Sequence, residues 1–289
     1  MLFVAIFCLM SIFPILGQDI PFDVSHSIDW VKGEISSQVG FSLASADIKL
    51  PTGRYLAEEI LQEAFPGILR PCLLSLRVDS GAIVRDAADR RELLLDDLDL
   101  ISLGADRPPP NLSTDLSRIG GRYTVSMTRI SALLTRHRRA IEPERPLIPA
   151  HAADYTGIII IADGELPVHG RRAQALAEPC LFPKIWDTNM SLIYERNMFE
   201  PALREERLMV RYASRESIFR PTPSGLSEDL AALVGPNPYR ILAREVFGTN
   251  PTDPIIDRDD ALLILSTENN RRLLREGRVA LVLSGEMLR

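Results

Sequence analysis

Several things are scarce in this chain, and each scarcity excludes something. Three cysteines in 289 residues exclude a disulfide-dense scaffold, and without a compact Cys/His cluster they exclude a structural zinc site. Lysine is confined to Lys32, Lys49 and Lys184, so nearly all of the 33 basic residues are arginine. Acidic residues number 39, for a net charge of -6, which argues against a chain whose main task is neutralising phosphates. No nucleic-acid partner is expected. Aromatic residues make up 6%, so the core must rest on Leu, Ile, Val and Ala. Catalytic templates are also missing: there is no Gly-x-x-x-x-Gly-Lys, Gly-x-Gly-x-x-Gly, His-Glu-x-x-His or Gly-x-Ser-x-Gly. No catalytic residue, cofactor or metal is expected.

What is present is an ordinary globular chain, 46% apolar and 25% charged. Its length suits two domains after a leader. Leu2 to Leu16 is an uncharged apolar run followed by Gly17-Gln18-Asp19. It is short for a membrane-spanning helix but suits the apolar core of a secretory signal, with cleavage expected after Gly17. An uncleaved anchor is the alternative. The chain is expected to be exported, to the periplasm or in association with the outer membrane.

The boundaries follow from composition. Residues 18–140 read as an N-terminal α+β domain. Residues 141–150, with Pro143, Pro146 and Pro149, read as a linker. Residues 151–289 read as a strand-rich α+β domain. In the first domain Ile28 to Leu50 reads as extended, with Trp30, Ile35, Val39, Phe41, Leu43 and Ile48 inward. A helix follows with Leu56, Ile60, Leu61 and Ala64 on one face, ended by Pro66-Gly67. Leu73 to Val78 and Gly121 to Met127 read as strands, Gly104 to Leu116 as a loop and Ile130 to Arg139 as a helix. In the second domain Tyr155 to Ala162 is a central strand, and Leu181–Trp186 with Met190–Tyr194 forms a hairpin. Leu208–Ala213, Arg240–Phe247 and Arg278–Leu283 read as further strands, and Asp257–Asp260 opens a helix.

Candidate chemistry is sparse. Cys72 and Cys180 either form one disulfide or are buried free thiols. His169, in the turn Leu166-Pro-Val-His-Gly170, is the best-placed histidine, with Asp154, Asp163 and Glu165 nearby in sequence. A hydrolase using it with a carboxylate is one alternative function, and a carrier of a small ligand is another. Arg136-His137-Arg138-Arg139 reads as a solvated helix end. Asp253, Asp257, Asp259 and Asp260 do not fit a twelve-residue calcium loop.

The ordered series Thr156-Gly-Ile-Ile-Ile, Leu181-Phe-Pro-Lys-Ile-Trp-Asp187, Ile193-Tyr194, Asn237-Pro-Tyr-Arg-Ile-Leu-Ala243, Pro251-Thr-Asp-Pro-Ile-Ile256 and Arg278-Val-Ala-Leu-Val-Leu283 resembles the FlgP group of flagellar outer-membrane lipoproteins. Arg54-x-x-Ala57, Val78-Asp-Ser80 and Tyr123-x-Val125 extend the likeness into the first half. In two places the chain departs from that group. Met190 stands where the family hairpin has Gly, so a different turn is expected, and the leader has no lipidated Cys at its cleavage point. The resemblance implies a non-enzymatic protein that assembles into rings or discs around a flagellar motor, with protein partners that include its own copies. Lys184, Trp186 and Tyr194 on the hairpin are candidate interface residues. Trp186 could equally fill the core.

Overall fold

The computed structural model describes residues 9–15, 18–222 and 224–289. The expected leader therefore lies largely outside the described residues; its part from Leu9 to Ile15 is a strand. Among the described residues no helix is long and apolar enough to cross a membrane.

The first half is an antiparallel sheet covered by helices. In chain order it runs β1 (Leu9–Ile15), β2 (Gln18–Asp29), β3 (Glu34–Ser42), α1 (Arg54–Ser75), α2 (Val84–Asp89), α3 (Leu95–Leu103), β4 (Asn111–Leu112), β5 (Arg118–Ser126) and α4 (Met127–Leu134). The sheet order is β1-β2-β3-β5-β4. The β2–β3 turn closes at Gly33, whose φ of +69° favours glycine. Along β3 the pleat sends Ile35, Val39 and Phe41 inward, all fully buried. Trp30, Leu43 and Ile48 are buried as the sequence pattern requires.

Helix α1 packs on that face and corrects the expectation that Pro66-Gly67 ends it. The helix runs for 22 residues straight through Pro66 and Pro71. Each proline removes one ladder hydrogen bond. The apolar stripe continues past both, however, with Phe65, Ile68, Leu69 and Leu73 each at most 2% exposed. Burial of that stripe outweighs the two lost bonds. It also overrides the strand expected at Leu73–Val78, where only Arg77 makes an isolated bridge, to Ile83. Leu56 is not part of the core face; it is 42% exposed. Helix α4 stops at Leu134, so the basic cluster lies beyond it rather than at its end.

No helix or strand lies between α4 and residue 157. The second half comprises β6 (Gly157–Ala162), β7 (Glu165–Pro167), β8 (Gln174–Leu176), β9 (Ile185–Asp187), β10 (Leu192–Tyr194), β11 (Arg211–Ser214), α5 (Arg215–Ile218), α6 (Glu228–Val234), β12 (Pro238–Leu242), β13 (Glu245–Phe247), β14 (Asp253–Ile256), α7 (Arg258–Ser266), α8 (Glu268–Arg275) and β15 (Val279–Leu283). Strands β11-β15-β6-β12 form an all-parallel sheet with β6 inside it. Both faces of β6 are therefore covered, which its run of isoleucines requires. Ile159 packs with Leu230 and Val234 of α6, while Ile158 and Ile160 face the main core. A Cβ at Gly157 would lie 2.5 Å from Val234 backbone atoms, so the glycine lets helix and strand approach. The Arg240–Phe247 segment is two strands, β12 and β13, in different sheets.

A second, smaller sheet has the order β10-β9-β14-β13. The β9–β10 hairpin forms as the sequence suggests. Where a glycine would usually supply the positive φ of such a turn, Met190 itself takes φ of +60°. The Asp187 carboxylate organises the turn by accepting N–H bonds from Asn189 (2.9 Å) and Ser191 (2.8 Å). The two halves then share one core. Trp30 meets Tyr212 edge-on at 5.6 Å, and the Leu181 and Phe182 N–H groups donate to the Arg77 and Val78 carbonyls.

Candidate functional site

The small sheet gathers residues that lie far apart in sequence. Trp186 on β9 is in register with Ile255, and Ile255 with Glu245, so Trp186 and Glu245 lie on one face. Phe247, two residues beyond Glu245, shares that face by the period of two. The turn after β7 reaches it through a bridge between Val168 and Val246 and a bond from the His169 N–H to the Val246 carbonyl. His169 thus stands beside β13, where its Nδ1 lies 2.6 Å from Glu245 Oε2. Its ring meets Phe247 at 6.1 Å and Phe247 meets Trp186 at 5.9 Å, both edge-on. The result is a half-exposed patch of two aromatic rings with an imidazole held by a carboxylate.

Beneath this patch sits Asp253, only 1% exposed. It accepts the Thr252 hydroxyl (2.8 Å) and the Lys184 N–H (3.2 Å). Burial raises its pKa above the usual carboxylate value, and the Thr252 hydroxyl and Lys184 backbone offset part of the rise. The Trp186 indole lies beside this carboxyl, and among the described residues its Nε1 has no hydrogen-bond partner.

The expected residues divide. Lys184 and Trp186 are half-buried at the patch. Tyr194 is fully buried and donates its hydroxyl to the Met209 carbonyl (3.1 Å), so it fills the core and is not a surface anchor. Cys72 and Cys180 are free buried thiols, not a disulfide. Burial pushes the Cys72 thiol up to about 11 and Cys180 higher still, which leaves both as inert core groups. The Cys180 backbone instead exchanges hydrogen bonds with the Tyr212 hydroxyl, at 3.0 and 2.8 Å.

The carboxylates near His169 in sequence are not its partner in space. Asp163 bonds the Ser284 hydroxyl (3.1 Å) and Arg215 (3.2 Å), at the carboxyl ends of β6, β15 and β11. Glu245 and Phe247 were missed from the sequence. Their alternation in β13 was visible, but the bridge that brings Val168 to Val246 was not.

The architecture defines a two-domain α+β protein: an antiparallel sheet under helices, then a parallel sheet joined to a small mixed one. Residues 21–133 match the family model described as Treponema pallidum Tp0624, N-terminal domain, and residues 157–285 match that described as its second domain. The chain therefore carries two domains of the Tp0624 kind, in the same order. Both matches are to these domains and not to the FlgP group, whose likeness rests on the ordered motifs alone. No curated protein matches the chain.

Proposed function

We propose that this protein is a non-enzymatic, exported component of a bacterial cell envelope that works through protein–protein contacts. Its partners include its own copies, in a ring or disc scaffold associated with the flagellar motor and the outer membrane around it. The observation that carries this reading is the half-exposed pair Trp186–Phe247, set on short strands that hydrogen bonds hold on both sides. Large aromatic rings on a rigid base are what binding hot spots are made of. Export rests on the apolar run before Gln18, and motor association on the FlgP-like series of motifs.

Sedimentation velocity of the full chain tests the reading. Assemblies larger than a monomer are expected, and Trp186→Ala should weaken self-association by about tenfold or more. A wild-type chain that stays monomeric, or a variant that sediments like it, would count against the patch as a contact between copies.

A second reading rests on the 2.6 Å contact between His169 and Glu245. A carboxylate that holds Nδ1 orients the imidazole so that Nε2 can move a proton. On this reading the protein is a periplasmic hydrolase, and His169→Ala should abolish every cellular phenotype that depends on it. Retention of those phenotypes sinks the reading.

A further inference from the structure

Where the two halves meet, they enclose a cleft of about 240 Å³. The β2–β3 turn supplies Lys32, the start of α4 supplies Ser126 and Thr128, and the segment entering β11 supplies Arg207 and Arg211. Trp30 and Val210, both buried, give the lining an apolar part. The cleft thus draws on both family-matched domains, and such junctions are favoured places for small-ligand sites.

Its cations are unusual for this chain. Elsewhere guanidinium groups close on carboxylates with hydrogen bonds, as Arg70 does on Asp99 (3.0 Å) and Arg271 on Glu268 (2.6 Å). At the cleft they do not. Arg207 lies 3.8 Å from Glu206, Arg211 lies 3.8 Å from Asp229, and the Lys32 ammonium lies 4.0 Å from Asp29. All three separations exceed hydrogen-bond distance. Among the described residues, none of these three side chains donates a hydrogen bond. Both arginines are nevertheless held half-buried, with side chains 39% exposed. Glu206 is the one acid among the described lining residues, and its side chain is 63% exposed to water.

We propose that this cleft binds a small oxyanion, a phosphate or a carboxylate. A guanidinium presents its N–H groups in a planar fork that matches two oxygens of such a group. Lys32 adds a point charge, and the Ser126 and Thr128 hydroxyls add donors. Trp30 and Val210 suit a short apolar body attached to the anion. The volume is below the roughly 300 Å³ at which pockets for drug-sized ligands begin, so the ligand is a small molecule. It would touch residues of both domains and tie one to the other. The site is separate from the Trp186–Phe247 patch, and the proposal does not depend on the scaffold reading.

Titration of the full chain carrying Trp186→Phe tests this, because Trp30 is then the only tryptophan and it lines the cleft. Sodium phosphate and sodium succinate are added separately at constant ionic strength. At least one should change Trp30 fluorescence saturably, with Kd below about 1 mM. Saturation by phosphate alone assigns a phosphate ligand, by succinate alone a carboxylate ligand, and by both a site that reads the shared oxyanion. Replacing Arg207 and Arg211 together by Gln should weaken binding about tenfold or more. Arg85→Gln, at an exposed position on α2, should leave it unchanged. If the double variant loses its far-UV circular dichroism, Lys32→Gln at an exposed position replaces it and should also weaken binding. The proposal falls if neither anion saturates, or if the cleft variant binds like its parent. It falls equally if Arg85→Gln weakens binding as much, since diffuse charge then explains the signal.

Discussion

At the scale of single residues, the small sheet shows how a buried polar group shapes its surroundings. Asp253 is nearly inaccessible, and burial raises its carboxyl pKa. A raised folded-state pKa means that its contribution to stability is fully present below the unfolded value. That contribution is lost as pH rises through the folded value. Asp253→Asn keeps an oxygen to accept the Thr252 hydroxyl and the Lys184 N–H while removing the charge. The variant should therefore melt higher than wild type at pH 7, with the advantage shrinking as pH falls through the carboxylate range. A constant difference between pH 7 and pH 4 would show that the charge is not what burial penalises. Met190 gives the opposite lesson. The residue type argued against a left-handed turn, yet the turn forms because the Asp187 carboxylate gathers two N–H groups around it. Side-chain compensation of this kind is invisible to a rule about one position.

At the scale of elements, periodicity was a better guide than punctuation. Ile60, Leu61 and Ala64 were legible as one face, read together with Leu56, but Pro66-Gly67 read as its end and Leu73 as the start of a strand, whereas the stripe runs on through Phe65, Ile68, Leu69 and Leu73. The two prolines weaken α1 without stopping it, because most of a helix's stability comes from the face it buries. Pro71 is exposed, so its ring contributes little packing. Pro71→Ala restores a donor for the Gly67 carbonyl and should stabilise the protein by about 1–2 kcal/mol in urea unfolding. A destabilised variant would mean that the ring itself supports the packing of α1. Alternation along β3, the isoleucine run of β6 and the β9–β10 hairpin were all readable locally. That β6 would pair in parallel with β12 and β15 was not, since parallel partners lie a long crossover away.

At the scale of the whole molecule, the two sequence-distinct halves share a core through Trp30, Tyr212 and the pairing of Leu181 and Phe182 with the Arg77–Val78 segment. Contacts of that kind couple the halves, so unfolding should be cooperative. In Trp186→Phe, Trp30 is the sole tryptophan, and its fluorescence midpoint should coincide with that of far-UV circular dichroism. Two separate midpoints would mean that the halves unfold independently. The sequence by itself determined the α+β class, the inward positions of the first strands and the segment rich in proline, because each depends on local periodicity or on backbone restrictions at one residue. Tertiary structure alone decided that His169 meets Glu245, that Tyr194 lies inside while Trp186 reaches the surface, and that Cys72 and Cys180 stay apart. Those outcomes depend on strand register and on contacts between segments distant in sequence, which no local pattern encodes.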